Sequence, residues 1–342
     1  MVGGFETIKI NNYIIQMNYQ HLIFSIICLL IIGYIYKKLY NYIETNERKD
    51  DIDLINKYLI SENKSVNKLK TNNRPKIWLF LNNTINSQKW ENFGSRNTNN
   101  LNKDYINLCI SSIINKCGND FDIMIVDVDS FKILLNDWNV DLNKLSDQLK
   151  KHFILIGLLK LLNKYGGIIL QPSTIMFKSL LPLYNRSVNN NKPFTGQFKN
   201  ESLDNYQRNL MPSIAFLGSN KNNEKINELI NFIVSKISND YSNEISLTNL
   251  INNMLYKKII HNEFDYIDGK YLGIKDTNDR IIDLEDLMSD KFIDLDEKTY
   301  FLHIPDDELS KRTKYNWFIY LNKEEVLKSR TNIGKYLLTS YK

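Results

Sequence analysis

Lys164-Tyr165-Gly166-Gly167-Ile168-Ile169-Leu170-Gln171-Pro172-Ser173 carries the chain from a helix into a strand. The stretch before it, Phe153–Leu162 (FILIGLLKLL), is apolar nearly all round and too short to cross a bilayer, so it belongs in a core helix. That helix is expected over Leu142–Tyr165. The two glycines end it with a left-handed cap, and Ile168–Leu170 follows as a buried strand. Working outward, Lys76–Leu81 (KIWLFL) reads as a first strand and Phe121–Val126 (FDIMIV) as a second. Between them, Ile106, Cys109, Ile110, Ile113 and Ile114 form a helical stripe in Tyr105–Cys117, stopped by Gly118-Asn119-Asp120. Strand, helix, strand, helix, strand is the pattern of an α/β sheet. Further on, the spacing predicts a strand at Ile214–Leu217 and helices at Asn223–Ser238 and Leu247–Lys258. A strand at Tyr300–Ile304 and a helix at Lys323–Thr339 complete the expected elements.

The order of parts from His152 to Leu181 resembles the sugar-binding region of DxD-type glycosyltransferases, the group that includes the capsular polysaccharide synthesis family. The shared features are the Lys164-Tyr165-Gly166-Gly167 element and the strand after it. An opening strand with Lys76, Ile77 and Trp78 and the unit Met211–Ile230 add to the likeness, which spans roughly Lys76 to Ile230. It implies a GT-A-like (Rossmann-like) mixed sheet flanked by helices. It also implies a nucleotide-sugar site at Gly166, Gly167, Gln171 and Ser173, and, for an enzyme, glycosyl transfer. In that family the strand ends in Asp-x-Asp, whose carboxylates hold a divalent cation against the donor diphosphate. Here the family's helix Asp and Arg fall on Leu155 and Leu158, and its Asp-x-Asp falls on Gln171-Pro172-Ser173. Mg or Mn bound to a polyphosphate needs anionic oxygen ligands. From His152 to Phe177 there is no Asp or Glu. The expectation is therefore a catalytically degenerate form that needs no cofactor and acts as a binding or scaffold protein.

A nearer resemblance is to uncharacterised membrane proteins of large DNA viruses of protists. It lies in Trp90–Arg96 (WENFGSR), Cys109–Cys117, the Gly-Gly element with Pro172-Ser173, and Lys311–Phe318 (KRTKYNWF). It implies a viral protein and no particular activity.

Another pair of carboxylates offers the enzymatic alternative. Asp127 and Asp129 close the FDIMIV strand, and in extended backbone residues two apart face the same way. Both would then reach a catalytic Mn or Mg at the carboxyl edge of the sheet. The plainer reading is a strand-to-helix turn in which Asp129 or Ser130 caps the next helix. The four histidines (His21, His152, His261 and His303) lie far apart without ligand spacing. Asp306-Asp307-Glu308 after Pro305 reads as a helix start, and Lys311–Phe318 as a charged helix end leading into core aromatics.

The N-terminal part carries a separate signal. Leu22–Tyr36 (LIFSIICLLIIGYIY) is uncharged, flanked by Tyr19, Tyr40, Lys37 and Lys38. We expect an N-terminal tail over 1–18, a transmembrane helix over 19–40, a charged juxtamembrane helix or linker over 41–74, and the α/β domain over 75–342. Lys37, Lys38, Arg48 and Lys49 outweigh Lys9, so the positive-inside rule places the C-terminal domain in the cytosol, on a virion or host membrane. The expected partners are the membrane, a nucleotide-sugar or glycan, and another protein. With 44 Lys and Arg scattered among 39 Asp and Glu, no basic face points to nucleic acid. Cys109 and Cys117, about 12 Å apart along a helix, cannot form a disulfide.

Overall fold

The computed structural model describes residues 23–39, 42, 53–60, 74–81, 103–200, 210–239 and 244–341. Trp90–Arg96 and the expected N-terminal tail lie outside the described residues. Two units are distinguished, 1–53 and 54–342.

In the first unit, helix α1 (23–39) leaves its apolar side chains exposed, Phe24, Leu29, Leu30 and Ile32 among them. Its 17 residues rise about 26 Å, short of the ~30 Å of a hydrocarbon core. Among the described residues no helix is long and apolar enough to cross a membrane. The ends of the expected 19–40 span are outside the described residues.

The second unit begins at Leu54, earlier than the expected boundary near Lys76. Helix α2 (53–58) leads Leu59 into a parallel bridge with Ile125, and the Ile60 amide donates to the Ile125 carbonyl at 3.1 Å. Ile55, Leu59 and Ile60 are buried. This segment of the expected linker covers a sheet edge that would otherwise present unpaired backbone groups.

The main sheet has six strands: β1 (Lys76–Phe80), β2 (Asp122–Val126), β3 (Gly167–Leu170), and, beyond a short β4 (Thr174–Met176), β5 (Phe194–Lys199), β6 (Leu210–Ser219) and β7 (Asp265–Ile267). Their order is β2-β1-β3-β6-β5-β7. Strand β1 runs parallel to both β2 and β3, and β6 runs antiparallel to β3 and β5. β4 pairs instead with β8 (Phe301–His303) in a second, two-stranded sheet. The fold is thus a mixed α/β sheet covered by helices, as the alternation of elements predicts.

Side-chain alternation divides the core between the two faces of the sheet. Ile77 and Leu79 of β1, with Ile123 and Ile125 of β2, pack under α3 (Asp104–Cys117) together with β4 and β8. Trp78, Met124 and Ile169 face the other way, into a core that includes residues of α4 (Ser130–Leu134), α5 (Asp147–Tyr165) and, beyond α6 (Leu181–Asn190), α7 (Glu224–Asn239) and α8 (Glu244–Ile260). The rest of the chain supplies α9 (Leu284–Met288), α10 (Asp306–Lys311), α11 (Lys323–Lys328) and α12 (Asn332–Tyr341).

Two expected helices are broken by polar caps. The helix expected over Leu142–Tyr165 starts at Asp147, because Ser146 is extended (φ −60°, ψ 153°) and its hydroxyl accepts from the Leu149 amide. Only a short 3₁₀ turn, Leu142–Lys144, precedes it. The helix expected over Lys323–Thr339 is two, α11 and α12. Ser329 leaves the first extended (φ −62°, ψ 143°), and Thr331 Oγ1 accepts from the Gly334 amide at the start of the second. Strand β6 is longer than expected. Pro212 pairs with Gln197 of β5 at a level where β3 has already ended, so its missing N–H breaks no ladder there.

Candidate functional site

The parallel strands β1, β2 and β3 end on one edge of the sheet, the usual ligand edge of α/β proteins. Phe80 is in register with Val126, and Leu79 with Leu170. Asp127 and Gln171 therefore emerge on the same edge with β1 between them, about 10 Å apart at two strand spacings.

Gln171 is exposed, Pro172 partly so, and Ser173 buried. This tripeptide is the crossing from the large sheet to the small one. The Ser173 carbonyl accepts from the Ile304 amide at 2.9 Å, which fixes the entry into β4. The next residue, Thr174, is the register partner of His303 on β8. Thr174 Oγ1 and His303 Nδ1 are both buried without a hydrogen-bond partner among the described residues. Burial holds the His303 imidazole neutral, with its pKa lowered to about 4 against a partial opposing effect of Asp306. Phe198 and the imidazole pack edge to face, with ring centroids 5.2 Å apart. Asp306, at the start of α10, accepts from Lys103 Nζ at 2.8 Å and from the Tyr105 hydroxyl. Sequence spacing missed His303 because its neighbour is brought to it by strand pairing across more than a hundred residues.

Asp127 and Asp129 do not keep the extended geometry that would align their carboxylates. Strand β2 ends at Val126, and Asp129 has turned into helical backbone (φ −80°, ψ −25°). Asp127 is buried and serves the turn. Its Oδ1 accepts from the Ser130 amide at 2.9 Å and from Ser130 Oγ at 2.6 Å, and its own amide donates to Ser130 Oγ at 3.1 Å. Asp129 is exposed and makes no side-chain cap. The capping role expected of Asp129 or Ser130 thus falls to Asp127.

Gly166 and Gly167 sit at the opposite end of β3 from Gln171 and Ser173. Four residues of strand span about 13 Å, which separates the two halves of the expected sugar-nucleotide site. Their role at that end is structural. The Gly166 amide closes α5 onto the Leu162 carbonyl at 2.8 Å, and its carbonyl accepts from buried Trp78 Nε1 at 2.9 Å. Gly166 has φ 71° and ψ −174°, positive φ with an extended ψ, so it is not the left-handed helical cap expected. At Gly167 (φ 111°) a Cβ would lie 2.1 Å from the Lys76 carbonyl oxygen.

The donor set at the crossing does not fit a divalent cation. Gln171 and Ser173 bring neutral oxygens, and among the described residues no three His, Cys, Asp or Glu gather as metal ligands.

The remaining candidates fall on a helix start and in the core. Asp306-Asp307-Glu308 form the first turn of α10, as expected after Pro305. Tyr315 and Phe318 of the KRTKYNWF stretch are buried. All three cysteines are free, and burial raises the Cys117 thiol to about 11.

No family model matches the chain, and no curated protein matches it. Solved structures do give distant likenesses. The PaToxG glycosyltransferase is 17% identical, with 64% of this chain and 80% of that chain covered and a TM-score of 0.32. The glycosyltransferase GlyE of Streptococcus pneumoniae TIGR4 is 13% identical over 79% and 64% of the two chains, with a TM-score of 0.35. The galactosyltransferase LgtC, solved in complex with donor and acceptor sugar analogues, is 12% identical over 57% and 74%, with a TM-score of 0.27.

Proposed function

We propose that this protein is a membrane-anchored, GT-A-like glycosyltransferase homologue that has lost metal-dependent catalysis and serves as a binding or scaffold protein. The observation that carries the reading is the Gln171-Pro172-Ser173 crossing. It stands where the resembled family places its cation-binding acids, and it leads directly to neutral Thr174 and His303. Hydroxyl, amide and neutral imidazole groups suit the hydroxyls of a sugar and give nothing to a pyrophosphate-bound cation. The ligand class is accordingly a glycan or the sugar end of a nucleotide-sugar, recognised without Mn or Mg.

The anchor is the second half of the proposal. Helix α1 and its flanking Tyr and Lys residues support insertion in a virion or host membrane. The excess of Lys37, Lys38, Arg48 and Lys49 supports a cytosolic C-terminal domain. Asn185-Arg186-Ser187 and Asn200-Glu201-Ser202 are glycosylation sequons, and glycosidase-sensitive mass on either in a eukaryotic host would reverse that topology.

The decisive experiment follows the melting temperature of the full chain with UDP- and GDP-sugars, with and without Mn. A ligand at about 100 times its Kd adds ~2.7 kcal/mol of stability. The expected shift is the same with and without Mn. A Mn-dependent shift that disappears in Asp127→Asn would instead identify an active glycosyltransferase using Asp127 and Asp129.

A further inference from the structure

The segment after α10 contains an exposed stripe that the proposed binding function does not use. From Arg312 onward the backbone winds with three-residue hydrogen bonds. The Tyr315 amide donates to the Arg312 carbonyl, the Phe318 amide to that of Tyr315, and the Leu321 amide to that of Phe318. Residues 316–320 form a 3₁₀ helix, in which positions three apart eclipse. Tyr315 and Phe318 fall on the inner side and are buried, while Trp317 and Tyr320 fall outside at 46% and 44% exposure. Lys314, three residues before Trp317, is exposed on the same period, and Lys311 is exposed at the end of α10.

The charges of this stripe are not spent internally. Arg312 is held by Glu285 and Glu308 at 2.5 and 2.8 Å. Lys311 and Lys314 make no ion pair with a described residue, and Lys314 only lies over the Tyr315 ring at 5.0 Å. Glu325, the next acid but one along the chain, is occupied by the Asn322 amide in a capping box. Lys314 stands on the same period as exposed Trp317 and Tyr320, with Lys311 exposed three residues earlier along the chain, and this combination matches a bilayer surface. Amphipathic rings settle at the level of the headgroups, and lysines are drawn to anionic lipid.

We infer that Lys311, Lys314, Trp317 and Tyr320 form a docking surface for the anionic face of the bilayer. This rests on the proposal that α1 is inserted in that bilayer. The 13 residues of sequence between helix α1 and helix α2 reach at most about 50 Å. The tether therefore keeps the second unit at high effective concentration near the lipid, where a weak surface suffices. Docking would fix which face of the domain meets the membrane.

The test uses the full chain with brominated-lipid vesicles of phosphatidylcholine alone or with phosphatidylserine. Flotation reports the anchor. Quenching of Trp317 fluorescence, taken as the difference between wild type and Trp317→Phe, reports docking. The expected result is flotation with both vesicles and Trp317 quenching only with phosphatidylserine. Lys311→Glu/Lys314→Glu, with an unchanged melting temperature, should still float but lose the quenching. Each single change should weaken docking on the order of fivefold. Flotation with both vesicles but no quenching, or equal quenching on both, overturns the docking surface and leaves the anchor standing. Quenching on anionic vesicles without flotation on neutral ones supports the surface and overturns the anchor.

Discussion

Thr174 and His303 face each other as register partners between β4 and β8, and each buries a polar atom that no described residue satisfies. A buried polar atom without a partner costs free energy, and here a hydroxyl and an imidazole nitrogen stand so across one ladder. Such a pair is retained most simply where a ligand or a water completes it. The pair lies one residue beyond the neutral crossing at Gln171-Pro172-Ser173, beside the site proposed for a sugar.

Thr174→Val removes the orphan hydroxyl and keeps the shape. Without ligand the variant should be neutral or more stable by about 1 kcal/mol, a rise of a few degrees in melting temperature. Its ligand-induced shift should shrink. A variant that loses stability in the absence of any sugar would place the hydroxyl in an ordinary structural hydrogen bond.

His303 should make stability depend on pH below neutrality. Its folded pKa, about 4, lies below the unfolded value of 6.5, so the unfolded chain binds the proton more readily. The stability it lends is therefore complete above pH 6.5 and is lost as pH falls from there through 4. The shift is worth up to about 3 kcal/mol. Chemical denaturation of wild type against His303→Gln across this window measures it. Parallel curves would rule out a buried neutral imidazole.

Gly167→Ala should be among the most damaging single changes in the chain. The added Cβ meets the Lys76 carbonyl oxygen on the neighbouring strand, and the positive φ adds strain. A loss of about 3 kcal/mol or more is expected in urea unfolding, with no role for any ligand. A mild effect would mean that β1 and β3 are not paired as described.

Ser130→Ala should cost about 1–2 kcal/mol, because it strips two hydrogen bonds from the Asp127 turn. Added Mn should restore none of it. Recovery of the melting temperature on adding Mn would show that the freed carboxylate belongs to a cation site.

Much of the framework was legible in the residues. The apolar run Phe153–Leu162, the strand before Asp127 and the stop at Gly166-Gly167 are local signals, and the structure keeps each of them. The breaks at Ser146 and Ser329 went unread because serine caps a helix only where the chain leaves the helical path, which packing decides. The short strands β4 and β7 carry too few residues for a period to show, and Gly196 interrupts the six residues of β5. Only the first part of strand β6, residues 210–213, is hidden in the sequence by Pro212, a residue that usually speaks against a central strand. Leu54–Ile60 looks like a charged linker in the sequence, and only its pairing at the edge of β2 shows that it packs with the second unit.

For the site, the lack of acid at Gln171-Pro172-Ser173 is a property of the sequence alone, since no fold can give amide and hydroxyl groups a negative charge. What only the tertiary structure decided is the company these residues keep. It turned Asp127 inward onto Ser130. It also brought His303 beside Thr174 by strand pairing. Charge and periodicity are carried by neighbours along the chain, whereas a pocket is made by neighbours across a sheet, and that pairing is selected by burial of the whole core.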